Sequence, residues 1–447
     1  MLQPLRLRDF RLLWIGMAVS MLGDGIYFVA VAFQAYALDN DPSALALVGF
    51  AWMGGMTAFL LLAGVVADRQ PRRRVMMAAD VLRAVVLAAI GVLSIAGVLE
   101  IWMLASLAAL YGAGEAFFGP AFSALIPELV PEEMLIQANS VEHGVRPLAS
   151  QVAGPALGGV LVAAVGPGTG FLIDGATFAV SFACLAALRV REVPAPSRTG
   201  TLREIREGLA YVRSQTWLWA TLVAAALSLL VFLGPEEVLV PYVIKNDFGG
   251  GAGQFGLLLA VAGVGNAAGS FFMGRRPLPR RPVTVMYLSW GFGILPLAAY
   301  AAATATWHLM PLAFAIGFCM SAGLVIWTTL MQSRVPRELR GRVNSVDWFV
   351  SIGLTPISFA LVGPVSKAVG IDATFVVAGV GASVITLGML VFLPGLRERR
   401  EVVGEARVGD GGAVHADDFD ALGAGQAGDG ADHGEAVVAA RVDRPAP

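Results

Sequence analysis

Asp24, Glu115, Arg146, Glu236 and Glu237 each stand inside a long apolar stretch of the chain. A charge in such a place is costly, and chains that keep one use it to bind, pair or carry charge. A carboxyl there is a candidate proton carrier, and a guanidinium beside it governs how readily it holds its proton. Asp24 and Glu115 are therefore candidate proton sites, with Arg146 able to balance whichever of them is ionised. Glu236 and Glu237 follow Pro235. Neighbours on a helix diverge by about 100°, so the spacing predicts that one faces inward, where it attracts a cation, and the other reaches an interface. Asp80 and Arg83, three residues apart, read as a structural ion pair. His143 beside Glu142 reads as interfacial. Cys184 and Cys319 each sit alone in an apolar run, with no metal-ligand or disulfide spacing.

Composition says what must position these side chains. Of 447 residues, 57% are hydrophobic and 14% charged, with a mean hydropathy of +0.71. A soluble domain carries about 45–50% apolar and about 25% charged residues. A bilayer absorbs the excess, since a spanning helix needs ~20 mostly apolar residues. Runs bounded by charge, Pro or Gly predict spans at 11–38, 44–66, 75–98, 101–124, 138–165 and 169–189, then at 217–243, 252–274, 282–303, 308–331, 343–366 and 371–394. The first is too long for a signal peptide and contains Asp24. Arginine crowds into alternate loops: the N-terminus, 64–74, 189–216, 274–282, 333–342 and "RERR" after the last span. That alternation requires an even number of crossings and puts both termini in the cytoplasm of a cell that carries the chain in its plasma membrane.

The spans divide the chain into an N-terminal six-helix bundle (1–189), a linker (190–216), a C-terminal six-helix bundle (217–396) and a Gly/Ala/Asp-rich tail (397–447) expected to be disordered. In the linker, Thr201 and Glu204 form a capping-box pattern. Leu202, Ile205, Leu209 and Val212 fall at helical spacing, which suits an amphipathic helix lying on the membrane or packed on the bundle. "VPEEMLIQANSVE" from Val130 is echoed by "VPRELRGRVNSVD" from Val335, and the same offset pairs Gly64 with Gly269. "IDGATF" at 173 is echoed by "IDATF" at 371. Two parallel six-helix repeats are a transporter architecture.

"GVVADRQPRRR", residues 64–74, carries Gly64, Asp68, Arg69, Arg72 and Arg73. It resembles the loop signature G-x-x-x-D-R-x-x-R-R of the major facilitator superfamily. That resemblance, which covers about residues 6 to 396, implies an all-α membrane protein with twelve transmembrane helices in two pseudo-symmetric six-helix bundles. It also implies that this loop is a gating latch, with Asp68 facing a helix N-terminus of the second half, where a carboxylate is favoured. Asp347, the repeat counterpart of Glu142, belongs to the same gating set, whereas Met273 stands where the second copy would need its Asp. "GPALGG" (Gly154, Pro155, Gly158, Gly159) resembles the G-P-x-x-G-G motif of many proton-coupled exporters; close helix packing is its other reading. "RDFRLLWIGMAVSMLGDG" and "GPAFSALIPELVPEEML" resemble a bacterial exporter branch that includes macrolide-efflux and enterobactin-export proteins. Drug antiporters often carry Arg in the fourth span, where this chain offers Glu115.

The resemblance implies that spans one, four and five line a central cavity. It implies secondary active export of amphipathic or cationic small molecules by proton antiport and alternating access. The expected partners are a small-molecule substrate, protons and the bilayer, with no nucleic acid and no cofactor, and the expected state is a monomer. Trp52, Phe117, Phe118, Phe122, Trp290, Trp327 and Trp348 are candidates for an apolar pocket wall. The alternatives are a siderophore or lysophospholipid transporter of the same fold, favoured by a basic cavity, and a non-transporting receptor or scaffold. No nucleophile or phosphate-loop constellation supports an enzyme, and "GVGNAAGS" at 263 reads as helix packing.

Overall fold

Backbone polar groups in a bilayer must be satisfied inside the segment that crosses it, which leaves an apolar chain of this kind the α-helix. The computed structural model describes residues 3–135, 137–138, 146–189, 201–336 and 339–393, and every regular element among them is helical. The first spans are α1 (Arg8–Leu38), α2 (Pro42–Arg69), α3 (Arg72–Ile95) and α4 (Ile101–Leu129). The apolar run Leu148–Ala186 is broken at Gly166, whose φ of 81° only glycine adopts freely, just before Pro167. The break makes two spans, α5 (148–165) and α6 (167–186). After the linker helix α7 (Thr201–Ser214) come α8 (Thr216–Asn246), α9 (Ala252–Gly274), α10 (Pro282–Ala302), α11 (Thr306–Arg334), α12 (Arg340–Val369) and α13 (Ile371–Phe392). Among the described residues eleven runs are long and apolar enough to cross a membrane, and the break at Gly166 turns one of them into two crossings.

Packing repeats with the sequence. In the first half α1 lies on α5 and α6, α2 on α4, and α3 on α4 and α6. In the second, α8 lies on α12 and α13, α9 on α11, and α10 on α11 and α13. The halves meet where α5 packs on α9 and α2 on α12. Exchanging each helix for its repeat partner interconverts these two seams, so the molecule is an all-α membrane fold of two pseudo-symmetric six-helix sets. All described residues belong to one compact unit, Met1–Arg399. The tail 397–447, the linker residues 190–200 and the repeat residues Glu142 and His143 lie outside the described residues.

The linker helix spans Thr201–Ser214, and the side chains of its capping-box residues Thr201 and Glu204 lie outside the described residues. It packs on the ends of α11 and α12: Arg342 pairs with Glu207, and the Tyr211 hydroxyl donates to the Arg334 carbonyl at 3.3 Å. Val212 is buried while Leu209 stays exposed.

Candidate functional site

A cavity of about 350 Å³ lies between the two sets of helices, walled by α1, α2 and α5 on one side and by α8 to α12 on the other. Glu236 and Glu237 both line it, which corrects the expectation that they diverge. The reason is local: Pro235–Leu239 is a π-helical turn. Pro235 and Pro241 lack the N–H donors an α-helix would use there. A π turn spreads more residues over each revolution, which narrows the angle between neighbours. The opposite wall has the same device, since α5 opens with the π turn Leu148–Ala153 just before Pro155. The lining is otherwise aromatic and amide. Tyr27, Phe28 and Trp52 face Phe255, Tyr300 and Phe359, and Asn266 donates to Gln151 at 2.9 Å across the α5–α9 seam. Among the described residues that line the cavity, none is Lys or Arg.

Asp24 and Glu115 do not line the cavity; they sit one aromatic layer behind its wall. Trp52 donates its indole N–H to Glu115 Oε2 at 3.0 Å. Tyr27 stacks on Tyr111 with ring centroids 4.3 Å apart, and the Tyr111 hydroxyl donates to Asp24 Oδ1 at 2.6 Å. The expectation that span four lines the cavity fails because α4 packs behind α2. Gly112 lets that approach be close, since a Cβ there would come 3.0 Å from Trp52 Cδ1. Of the aromatic candidates only Trp52 lines the cavity. Phe118 and Phe122 are buried in one core cluster, and Trp290 and Trp327 pack in another.

The charge that was to balance these carboxylates is also differently placed. Arg146 is exposed just before α5, within electrostatic reach of Asp24 and Glu115. The buried cation is Arg83, only 3% exposed. It donates to Asp80 Oδ1 at 2.8 Å and lies over the rings of Phe178 and Phe118, at 4.1 and 4.7 Å. The Asp80–Arg83 pair is thus real, but Arg83 also acts on Asp24, Glu115 and Asp174. Asp174, on α6 beside Gly23 of α1, was missed. The rule that found Asp24, a carboxylate inside an apolar run, would have found it, had "IDGATF" not been read only as a repeat.

In the 64–74 turn, Arg72 pairs with Glu128 of α4. Arg73 donates to the carbonyls of Leu185 and Ala186 at 2.8 and 2.7 Å, satisfying the open C-terminal end of α6. Both arginines thus tie α3 to helices of the same half. Gly64, Asp68 and Arg69 lie on α2, and their side chains are outside the described residues. Asp347 accepts from Trp327 at 3.1 Å and Ser351 at 3.2 Å, partners in its own half.

The "GPALGG" segment forms a seam between three helices. A Cβ on Gly154 would lie 2.9 Å from the Gly25 Cα of α1, one on Gly158 2.8 Å from the Ile26 Cα, and one on Gly159 3.0 Å from the Gly256 Cα of α9. "GVGNAAGS" is helix packing as expected, with Gly263 against the Gln151 backbone.

A family model described as transmembrane secretion effector matches residues 1–405. The chain belongs to that family. It is a transporter of the major facilitator superfamily, spanning the membrane many times, and not an enzyme. It is similar to the multidrug efflux pump Tap of Mycolicibacterium fortuitum, 29% identical over 409 residues that cover 87% of this chain and 96% of that one. It is also similar to macrolide efflux protein A of Streptococcus pyogenes, 24% identical over 387 residues, 83% of this chain and 92% of that one. The fold matches a bacterial homologue of the iron transporter ferroportin in its inward-facing state, with a TM-score of 0.66 at 18% identity, covering 86% and 98% of the two chains.

In this transporter the two halves are fastened at the end away from the termini. The Tyr36 hydroxyl of α1 donates to the Val238 carbonyl of α8. Lys245 donates to Asn40 at 3.0 Å, and Asn40 to Asn246 at 2.7 Å. Lys367 pairs with Asp41 at 3.0 Å, while Asp41 also caps α2 by accepting from the Ser43 N–H at 2.9 Å.

Proposed function

We propose that the transporter exports cationic amphipathic small molecules from the cytoplasm in exchange for protons, by alternating access. The observation that carries this reading is the cavity: two carboxylates, Glu236 and Glu237, set among aromatic rings, with no cationic side chain among the described lining residues. A desolvated carboxylate attracts a cation strongly, aromatic faces take both its charge and its apolar body, and about 350 Å³ is the size of a small-molecule site. Two relatives whose names describe multidrug and macrolide efflux support the direction and the breadth of cargo. The basic cavity that anionic siderophores or lysophospholipids would call for is not what these residues build.

In this reading the halves 1–189 and 217–396 rock about the α5–α9 and α2–α12 seams, with 190–216 as the tether. Arginine alternation places both termini in the cytoplasm of a cell with the protein in its plasma membrane. The fastened end is then extracellular, and the conformation is one closed to the outside. Asp24 and Glu115 serve proton coupling through Tyr111 and Trp52, Asp68 latches the cytoplasmic side, and one chain suffices for the cycle. The test is accumulation of a fluorescent cationic dye in everted vesicles energised by a pH gradient. Glu236→Gln or Glu237→Gln should weaken apparent dye affinity by about tenfold or more, the scale of one lost charge contact. Dye uptake unchanged in both variants, or absent from wild-type vesicles over a panel of cationic dyes and macrolides, would overturn the cargo assignment.

A further inference from the structure

The interior of the first six helices holds more negative than positive groups. Among the described residues Asp24, Asp80, Glu115 and Asp174 stand against the buried Arg83, with Arg146 exposed at the edge. A charge left uncompensated at low dielectric is costly, and a buried group in that position is neutralised by a proton instead. The hydrogen bonds show which carboxyl is least able to stay ionised. Asp80 has the Arg83 guanidinium, Asp24 the Tyr111 hydroxyl and Glu115 the Trp52 indole. Among the described residues Asp174 has only the Thr177 hydroxyl, whose oxygen lies 2.7 Å from the Asp174 carbonyl oxygen and 3.2 Å from Oδ1, so that its single proton goes to the backbone. Its Oδ2 has no partner among the described residues, and the side chain is 0% exposed. The Gly23 backbone of α1 closes the space next to Oδ1.

We propose that Asp174 is a proton-binding site of the transport cycle, holding a proton in the conformation described here. This rests on the proton-driven exporter reading above. Release breaks the Oδ2–H bond, leaves the electron pair on Oδ2 as a carboxylate and passes the proton to cytoplasmic water. The groups that feel the new charge are Asp24 and Tyr27 on α1, Arg83 on α3 and Tyr111 on α4. The new carboxylate competes with Asp80 for Arg83, the one buried cation among the described residues within reach, and repels Asp24. Because α6 packs on both α1 and α3, that exchange alters two helix seams together. α1 carries the change to Tyr36, whose hydroxyl fastens the halves at the far end. Asp174 thus links one proton to one closure contact.

The test uses the full chain. In proteoliposomes, Asp174→Asn should keep equilibrium exchange of a cationic dye but lose gradient-driven accumulation by tenfold or more, while Thr177→Val, which leaves the acid in place, should stay coupled. In purified wild type near neutral pH, infrared difference spectra should show a protonated-carboxyl C=O band that persists in Asp24→Asn and Glu115→Gln and is lost in Asp174→Asn. A wild type without that band overturns the proposal whether or not Asp174→Asn folds. If wild type is proton-driven and Asp174→Asn accumulates dye equally well, the Asp174 site alone falls. If wild-type accumulation ignores the pH gradient, the antiport reading falls and the Asp174 site with it.

Discussion

Gly25→Ala adds one methyl group to the seam between α1 and α5. Its Cβ would lie 2.6 Å from Gly154 Cα, 2.6 Å from Pro155 Cδ and 2.7 Å from the Gly154 carbonyl carbon. Carbon atoms in ordinary contact sit about 3.5–4.0 Å apart, so α1 and α5 must separate by about 1 Å. No rotamer change relieves this, because the obstacles are backbone and a proline ring. Nor can α5 simply move away, since a Cβ on Gly159, on its far side, would already be 2.9 Å from the Ala252 carbonyl of α9. The cost should fall near the top of the overpacking range, about 3 kcal/mol. Helix propensity alone pulls the other way, favouring Ala over Gly by about 1 kcal/mol. The net expectation is a loss of about 2 kcal/mol, roughly thirty-fold in the folding equilibrium. Cys184 and Cys319, both free and partly buried, report unfolding to a thiol-reactive fluorogenic dye as the purified protein is heated. Gly54→Ala is the control, because its Cβ would meet nothing within 4 Å. A lower melting midpoint is expected for Gly25→Ala and an equal or higher one for Gly54→Ala. If Gly25→Ala melts at or above wild type, the seam is not as rigid as its contacts imply and the packing account of "GPALGG" is wrong.

Arg73→Gln should lower thermal stability by about 1.5–3 kcal/mol, because two carbonyls at the end of α6 lose a charged donor; the same heating assay measures it. Trp52→Phe keeps the ring at the cavity wall but removes the donor to Glu115, so gradient-driven dye accumulation should fall while dye affinity, read from equilibrium binding, holds. For Asp41, burial raises the carboxyl's affinity for a proton, but hydrogen bonds from Ser43 and Lys367 outweigh it and hold the group below its ordinary 3.8. A depressed folded-state value means the stabilisation is complete above that pH and is lost as pH falls through it. The melting midpoint of the purified protein should therefore carry an Asp41-dependent part that holds constant from neutral pH down to about 4 and weakens only below. Asp41→Asn should abolish that acid dependence.

The spans and their packing were legible to different degrees, for physical reasons. Helix limits follow from local hydropathy, and α9, expected at 252–274, spans Ala252–Gly274. The α5–α6 junction is also local, since Gly166 and Pro167 interrupt the run on the spot. The direction of a side chain around its helix is not local. Glu236 and Glu237 were expected to diverge at α-helical spacing, and the π turn after Pro235 brings both to the cavity. Glu115 was expected on the cavity wall, and the Trp52 indole stands in front of it because α2 packs across α4. Asp174 was visible as a residue and invisible as a site, since the absence of a partner for its Oδ2 among the described residues depends on which atoms α1 and α3 bring near it.

By itself the sequence determined that this is a twelve-span membrane protein built from a duplicated six-helix unit, with its charges sorted to alternate loops. Those properties depend on transfer of each segment from water to lipid and on the one-dimensional order of polar residues, so no fold is needed to read them. Only the tertiary structure decided which carboxylates share the cavity, which lie behind aromatic rings, and that Arg83 rather than Arg146 is the buried counter-ion. Those outcomes depend on helix rotation and on side chains from segments far apart in the chain meeting at a few ångströms. In a low-dielectric interior, such distances and hydrogen bonds govern where a proton or a cation resides.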